Sequence, residues 1–137
     1  MSYPIAKIEG IGPKYKKMLG KAGVTNTKHL LQKGGNKKGR TTLAQDSGVE
    51  EKLILKWTNM ADLMRVKGVG EEYSELLEVA GVDTIKELRN RKPENLHQAM
   101  SNVNSKRKKK LVRQLPGLAQ VQKWVTQAKK LPPAMTY

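Results

Sequence analysis

The same eight-residue pattern occurs twice in this chain and is followed each time by a helical periodicity. Residues 8–15 read IEGIGPKY and residues 66–73 read VKGVGEEY. In both copies an aliphatic residue precedes a Gly-x-Gly turn, and apolar side chains then recur every three or four residues, which places them on one face of an α-helix. Each run ends in Ala-Gly-Val, where glycine can take the positive φ that ends a helix. The pattern predicts two copies of one unit: glycine turn, amphipathic helix, glycine stop.

The similarity between the two copies extends well beyond the turn. Nine of the 27 positions are identical when residues 8–34 are aligned without a gap on residues 66–92. Each half also carries a Lys-Trp pair near its end, at Trp57 and at Trp124. We therefore predict an internal duplication, with one helical subdomain in residues 1–65 and a second in residues 66–137.

Apolar periodicity elsewhere in the chain predicts further helices and no sheet. A glycine-rich loop is expected at residues 34–40 and a turn at residues 102–105. No alternating run is long enough for a β-strand, so the expected fold class is all-α. Four aromatic side chains fall on apolar helix faces and are expected in the core: Tyr15, Trp57, Tyr73 and Trp124. The other predicted helices cover residues 25–33, 41–46, 49–64, 106–115 and 118–131, with two more beginning at Asp83 or Thr84 and at Pro93.

The composition of the chain limits its chemistry. The formal net charge of +15 indicates a polyanionic partner, most often nucleic acid, with solubility alone as the alternative. The lack of cysteine excludes disulfides, thiolate metal sites and a cysteine nucleophile, and His29 and His97 do not lie in a ligand-spaced motif. No signal peptide is visible and no apolar run approaches the length of about 18 residues that suggests a membrane span, so we expect a cytoplasmic protein without membrane contact.

Both glycine turns resemble the helix-hairpin-helix motif of DNA repair proteins, topoisomerases, ligases and the C-terminal domain of the RNA polymerase α subunit. The helix order in each half is similar to the compact SAM-like fold, and the whole chain, including Pro93–His97 and the Leu-Pro-Pro ending, resembles a bacterial tandem family of unknown function. The resemblance implies contact between hairpin amides and nucleic-acid phosphates, with a monovalent cation possible at the hairpin carbonyls. The matching positions are Gly10, Ile11, Gly12 and Lys14 in the first copy and Gly68, Val69 and Gly70 in the second.

The helices that follow the two turns carry opposite charges. The first has Lys14, Lys16 and Lys17, whereas the second has Glu71, Glu72 and Glu75. Carboxylates at a helix N-terminus satisfy the helix dipole themselves and repel phosphate. The first turn is therefore the predicted phosphate site, and the second is expected to be structural or to face a basic surface.

Two other basic segments are candidate contacts with a polyanion. The glycine-rich basic loop at residues 34–40 is expected to be a flexible arm that contacts phosphates. It lacks the Gly-Lys-Ser/Thr ending of a nucleotide P-loop, which excludes nucleotide binding there. The densest run of charge repels itself, which favours an anionic partner, although a solvated helix is the alternative. The candidates in these segments are Lys37, Lys38, Arg40, Lys106, Arg107, Lys108, Lys109, Lys110 and Arg113.

These patterns predict a non-enzymatic protein that binds nucleic acid, DNA more than RNA, without reading the base sequence. A protein–protein adaptor is the alternative, because SAM-like helical modules bind proteins and the opposed charges could drive self-association. A repair enzyme is a third class, but the adjacent carboxylates Glu50-Glu51 and Glu71-Glu72 diverge on a helix and form no acid/base pair. No catalytic triad or cofactor motif is present in the sequence.

Overall fold

The computed structural model describes residues 2–106 and 111–137, and the regular elements in those ranges are helical, which confirms the all-α expectation. Within them the only β-type pairing is an isolated antiparallel bridge between Pro4 and Asn26. None of the described helices is long and apolar enough to cross a membrane. After a 3₁₀ helix at Ile5–Lys7, the helices are α1 (Pro13–Lys21), α2 (Thr27–Gly34), α3 (Lys37–Ser47), α4 (Glu51–Leu63), α5 (Glu71–Val79), α6 (Ile85–Arg89), α7 (Pro93–Ser105) and α8 (Leu118–Lys130).

Apolar side chains form two hydrophobic clusters, one in each half of the chain. The first draws on residues between Ile5 and Met64 and the second on residues between Leu63 and Ala128. Trp57 and Trp124 are buried in their respective clusters, as predicted. A half-buried tyrosine packs against each indole, with ring centroids 5.0 Å apart for Tyr15 and 5.3 Å apart for Tyr73.

Three helix pairs of the first half have a packed counterpart in the second half. In the first half α1 contacts α3, and α4 contacts α2 and α3; in the second half α5 contacts α7, and α8 contacts α6 and α7. Contact between α4 and α5 joins the two halves. This correspondence fits the predicted repeat, while a division of the chain near residue 65 stays a prediction.

The helix that follows each glycine turn ends in the same way. Gly23 and Gly81 have φ of 83° and 99°. The next residue then donates its amide back into the helix, Val24 to the Leu19 carbonyl at 3.0 Å and Val82 to the Leu77 carbonyl at 2.8 Å. This is the predicted glycine stop, because a residue with a Cβ takes this left-handed conformation only with strain.

Residues 34–40 are not a loop, contrary to the sequence prediction. Helix α2 continues to Gly34, and α3 already begins at Lys37. The Asn36 side chain caps α3 by accepting a hydrogen bond from the Gly39 amide at 2.7 Å. Gly39 is a helix residue whose missing Cβ makes room for the Lys33 carbonyl oxygen. The three glycines and Asn36 that suggested a flexible arm therefore form a tight junction between two helices.

The predictions of a turn at 102–105 and a helix at 106–115 are also wrong where the structure describes them. Helix α7 runs through 102–105 and ends at Ser105, and residues 111–115 are not helical. The buried Asn104 side chain binds this segment instead, because its Oδ1 accepts from the amides of Leu111 at 2.8 Å and Val112 at 3.3 Å. Val112 is buried in the second cluster.

After α8 the chain returns to the first half as a tail formed by residues 132–137. The Thr136 amide donates to the Gly35 carbonyl at 2.7 Å. The Tyr137 hydroxyl donates to Oδ1 of Asn59 on α4 at 3.0 Å. The tail therefore covers the α2–α3 junction with hydrogen-bonded chain from the far end of the sequence.

Candidate nucleic-acid interface

The first glycine turn, residues 8–12, positions the N-terminus of α1 at the surface. Gly10 has φ of 95°, and Gly12 is the extended N-cap residue that precedes Pro13. Ile11 between them is only 4% exposed and donates its amide to the Ile8 carbonyl at 3.1 Å. The buried isoleucine fixes the turn to the core, while both glycines remain exposed.

The amides at the start of α1 are available to an anion. No side chain caps Gly12, and the first intrahelical bond is donated by the Lys16 amide to the Gly12 carbonyl at 2.9 Å. The preceding amides of Lys14 and Tyr15 therefore have no acceptor within the helix. Such an N-terminus attracts phosphate oxygens through its free N–H groups and its dipole.

Exposed lysines surround this helix terminus. Lys14, Lys16 and Lys17 are all exposed, and the Lys14 ammonium lies 5.9 Å from the centre of the Tyr15 ring. Within residues 2–106 and 111–137 the ion pairs are those of Arg65 and Arg91. No described lysine is thus neutralised by a described carboxylate in an ion pair.

The basic residues at the start of α3 divide into exposed and buried groups. Lys37 and Lys38 are exposed on the first turn of α3, which packs against α1. Arg40 is only 3% exposed, and its guanidinium donates to the carbonyls of Gly34 at 2.9 Å and Thr136 at 3.0 Å. Arg40 holds the tail onto the α2–α3 junction, so it leaves the predicted set of nucleic-acid contacts.

The second basic segment lies partly outside the described residues. Lys106 is the exposed C-cap residue of α7, and Arg113 is exposed on the segment that follows. The remaining predicted contacts in this run, Arg107, Lys108, Lys109 and Lys110, lie outside the residues that the structure describes.

The second glycine turn, residues 66–70, has the backbone of the first. Gly68 has φ of 94°, and Gly70 is an extended N-cap residue without a side-chain cap. Val69 is fully buried and donates its amide to the Val66 carbonyl at 3.1 Å. Glu71 and Glu72 occupy the first turn of α5. The turn has the geometry of an anion site, but these carboxylates oppose phosphate binding at α5.

The acidic helix α5 faces basic residues of α4. Glu78 shares a cavity of about 270 Å³ with Lys52, Lys56 and Asp83. Burial raises the pKa of Glu78 above its usual value, Lys56 lowers it, and Asp83 raises it further. The carboxylate thus loses more by desolvation than it gains from Lys56. This face of α5 lies against the first half of the same chain.

Lys67 and Lys123 were not predicted as site residues, yet they lie together beside the second turn. Both are exposed and line a cavity between the turn and α8. A signal for Lys67 exists in the sequence, because the alignment of the two halves places it opposite Glu9. The sequence gives no comparable signal for the cavity, which depends on how α8 packs against the turn.

Comparison with protein families identifies one match that spans most of the chain. The profile of a family described as a domain of unknown function (DUF4332) matches residues 9–131. No curated protein and no solved structure matches the chain significantly.

Proposed function

The chain belongs to the DUF4332 family of unknown function, and we propose that it binds nucleic acid without catalysis. DNA is the preferred partner over RNA, and the base sequence is not read. In this proposal the two halves are tandem helix-hairpin-helix units, and the first glycine turn is the main phosphate contact.

The observation that carries the proposal is the group of unpaired lysines at the open N-terminus of α1. Three exposed ammonium groups and the free amides of Lys14 and Tyr15 lie on one turn of helix. Bringing like charges together is unfavourable unless an anion neutralises them. A nucleic-acid backbone supplies such charge at short, regular intervals and releases its counterions when lysines bind it.

The chemistry of these groups favours binding without base readout. Backbone amides and lysines at a helix terminus are typical phosphate contacts, which position a protein on nucleic acid but carry no sequence information. The exposed lysines of α3, Lys37 and Lys38, together with Lys106 and Arg113, extend the basic surface in the same proposal. The buried tryptophans are excluded as stacking platforms by their packing in the two cores.

A protein adaptor is less well supported by the described surface. The exposed large apolar side chains in the described ranges are Val79, Leu118 and Tyr137, which belong to three separate segments of the chain. Single exposed apolar residues are normal on monomeric proteins, whereas stable protein interfaces usually have an apolar centre.

Fluorescence anisotropy with a labelled DNA duplex across a salt series tests the proposal. The logarithm of the wild-type association constant should fall linearly with the logarithm of salt concentration, with a slope of several units. The double variant Lys14→Glu/Lys17→Glu should bind at least about tenfold more weakly and lower that slope by roughly two, because two phosphate contacts are lost. An RNA duplex of equal length should bind more weakly than the DNA.

A matched control makes the same charge change elsewhere. Lys86 and Lys92 are exposed lysines of the second half outside the proposed interface. Lys86→Glu/Lys92→Glu should therefore bind more tightly than the first variant at every salt concentration. Equal losses in the two variants would mean that only net charge matters, and no binding by the wild type at low salt would refute the proposal.

A further inference from the structure

A second set of anion-binding groups surrounds a cavity between the second glycine turn and α8. The cavity has a volume of about 640 Å³, which is within the range of small-molecule sites. Its lining contains no carboxylate and is formed by Lys67, Gly68, Gly117, Ala119, Gln120, Lys123, Trp124 and Gln127.

The indole of Trp124 presents an unused hydrogen-bond donor to this cavity. The residue is only 1% exposed, and its Nε1 lies 3.1 Å from the position that a Cβ on Gly68 would occupy. None of the hydrogen bonds among the described residues involves this nitrogen. Every side-chain nitrogen or oxygen that is fully shielded from solvent in the described residues has a partner, so the unpaired Nε1 is not fully shielded. The N–H is therefore reachable from the cavity, and a buried indole usually finds an acceptor.

The N-terminus of α8 lies beside the same cavity, which is lined by Gly117 and Ala119. Gly117 is its N-cap residue and has no side-chain cap. The first amides bonded to the Gly117 carbonyl are those of Gln120 and Val121, both at 3.1 Å, so the amides of Leu118 and Ala119 have no acceptor in the helix. The Gln127 Oε1 accepts from the Lys67 amide at 2.8 Å, which joins the second glycine turn to α8.

We propose that this cavity binds a phosphate group, either free or within a nucleic-acid backbone. The helix amides and the Trp124 N–H would donate to its oxygens, and Lys67 and Lys123 would neutralise its charge. The cavity is larger than a phosphate, which leaves room for the sugar that bears it. This site lies on a different turn and a different helix from the first glycine turn, so it does not depend on the function proposed above.

The corresponding place in the first half lacks the positive charge. Trp57 has the same buried indole, with Nε1 3.3 Å from the Cβ position of Gly10 and no hydrogen-bond partner among the described residues. However, Glu9 replaces Lys67, and α4 begins with Glu50 as its N-cap residue and Glu51 in its first turn. These carboxylates repel phosphate, so Trp57 is an internal control for Trp124.

Proton–nitrogen correlation NMR reads the two indole N–H groups separately. Inorganic phosphate is added at constant ionic strength maintained with sodium chloride, and Trp57→Phe and Trp124→Phe assign the two signals. In the Lys14→Glu/Lys17→Glu variant, which lacks the phosphate contacts proposed for the first glycine turn, we expect the Trp124 signal to move with saturation while the Trp57 signal stays in place. If neither signal moves, or both move equally, the proposal is overturned.

Two lysine variants on one helix test the charge requirement. Lys123→Gln should weaken phosphate binding by roughly tenfold or more, the usual effect of losing a charge-assisted hydrogen bond. Lys129→Gln removes the same charge from an exposed position of α8 that does not line the cavity, so it should leave the titration unchanged. Equal weakening in both variants would contradict a localised site.

A short DNA duplex then distinguishes the two sources of phosphate. If it moves the Trp124 signal as phosphate does, and phosphate competes with it, the site holds a backbone phosphate. If inorganic phosphate alone moves the signal, the site holds a free phosphate. A shift of the Trp124 signal in the Lys14→Glu/Lys17→Glu variant would support this site even if the first glycine turn proves not to bind nucleic acid.

Discussion

Gly10 and Gly68 combine a left-handed backbone with close contact to a buried tryptophan. Their φ values are 95° and 94°, and the Cβ positions lie 3.3 Å from Nε1 of Trp57 and 3.1 Å from Nε1 of Trp124. The repeated pattern predicted that glycine is needed at these turns. It could not predict the indole behind each one, because that contact joins residues far apart in the sequence.

Replacing Gly10 with alanine should destabilise the fold. The alanine must adopt a left-handed backbone conformation, at a cost of about 1–2 kcal/mol, and its Cβ approaches the Trp57 ring. The free energy of unfolding in urea measures this loss. Gly20→Ala is the matched control, because Gly20 lies within α1 with open space around its Cβ position. It should instead stabilise the protein by about 0.5–1 kcal/mol, and a loss there would contradict the argument.

Arg40 shows where reading residues by charge alone goes wrong. The sequence places it in a basic stretch with three glycines and two lysines, a composition that suggests a flexible arm. The structure buries its guanidinium against two carbonyls, one of them on the tail. An arginine is buried when its donors find acceptors, and the second acceptor here is 96 residues away, beyond the reach of local sequence patterns.

At the scale of elements, local signals predicted several helix ends correctly but failed at residues 34–40 and 102–115. Glycine stops at Gly23 and Gly81, the start of α7 at Pro93 and the extent of α8 all follow from local backbone preferences. Asn36 and Asn104 were misinterpreted because asparagine in a polar stretch usually indicates a turn. Asn36 caps a helix, whereas Asn104 binds the segment that follows α7. The tertiary structure distinguishes these two uses.

Removing the Asn104 side chain should release the segment that follows α7. Asn104 is only 5% exposed, and it also donates Nδ2 to the Val112 carbonyl at 3.3 Å. Asn104→Ala should cost about 1–3 kcal/mol, because the amides of Leu111 and Val112 lose their acceptor. Urea unfolding measures the cost, and faster hydrogen exchange at those two amides would locate it.

The control for this variant lies two residues earlier on the same helix. The side chain of Asn102 is exposed and accepts a hydrogen bond from the Gln98 side chain, so Asn102→Ala should change stability by less than about 0.5 kcal/mol. Similar losses for both variants would show that α7 itself, rather than its contact with residues 111–112, is affected.

At the scale of the whole molecule, a few polar contacts join the two halves beside the α4–α5 contact. The buried Asp62 on α4 accepts from the Arg65 side chain at 3.0 Å and from the Ile85 amide at 2.9 Å. The second glycine turn was expected to be structural or to face a basic surface, and on the helix that follows it Glu78 lies beside Lys56. The sequence could not say which basic surface it faces, because both flanking blocks of the chain carry excess lysine and arginine.

Glu78 should make stability depend on pH with a defined sign. Because burial raises its pKa above 4.5 in the folded protein, the folded state holds the proton more tightly than the unfolded chain. The contribution of Glu78 to stability is fully present at pH values below its usual pKa. It is lost as the pH rises through the raised pKa of the folded protein. Glu78→Gln should therefore raise the melting temperature near pH 7, and the difference should shrink near pH 4.

The exposed carboxylate of Glu9, in the first glycine turn, offers a control with the same change of charge. Glu9→Gln should give a smaller change in melting temperature near pH 7 than Glu78→Gln does. A destabilised Glu78→Gln at neutral pH would mean that attraction to Lys56 exceeds the cost of burying the carboxylate.

The hydrogen bonds of Arg40 also set an order of events during translation. The residue that supplies the Gly34 carbonyl is synthesised six residues before Arg40, whereas Thr136 is synthesised 96 residues after it. Before Thr136 is synthesised, the guanidinium N–H groups that later bind its carbonyl must be hydrated, because burying them unpaired is costly. The first hydrophobic cluster can form early. The α2–α3 junction is completed only when residues 132–137 have left the exit tunnel and pack against that junction.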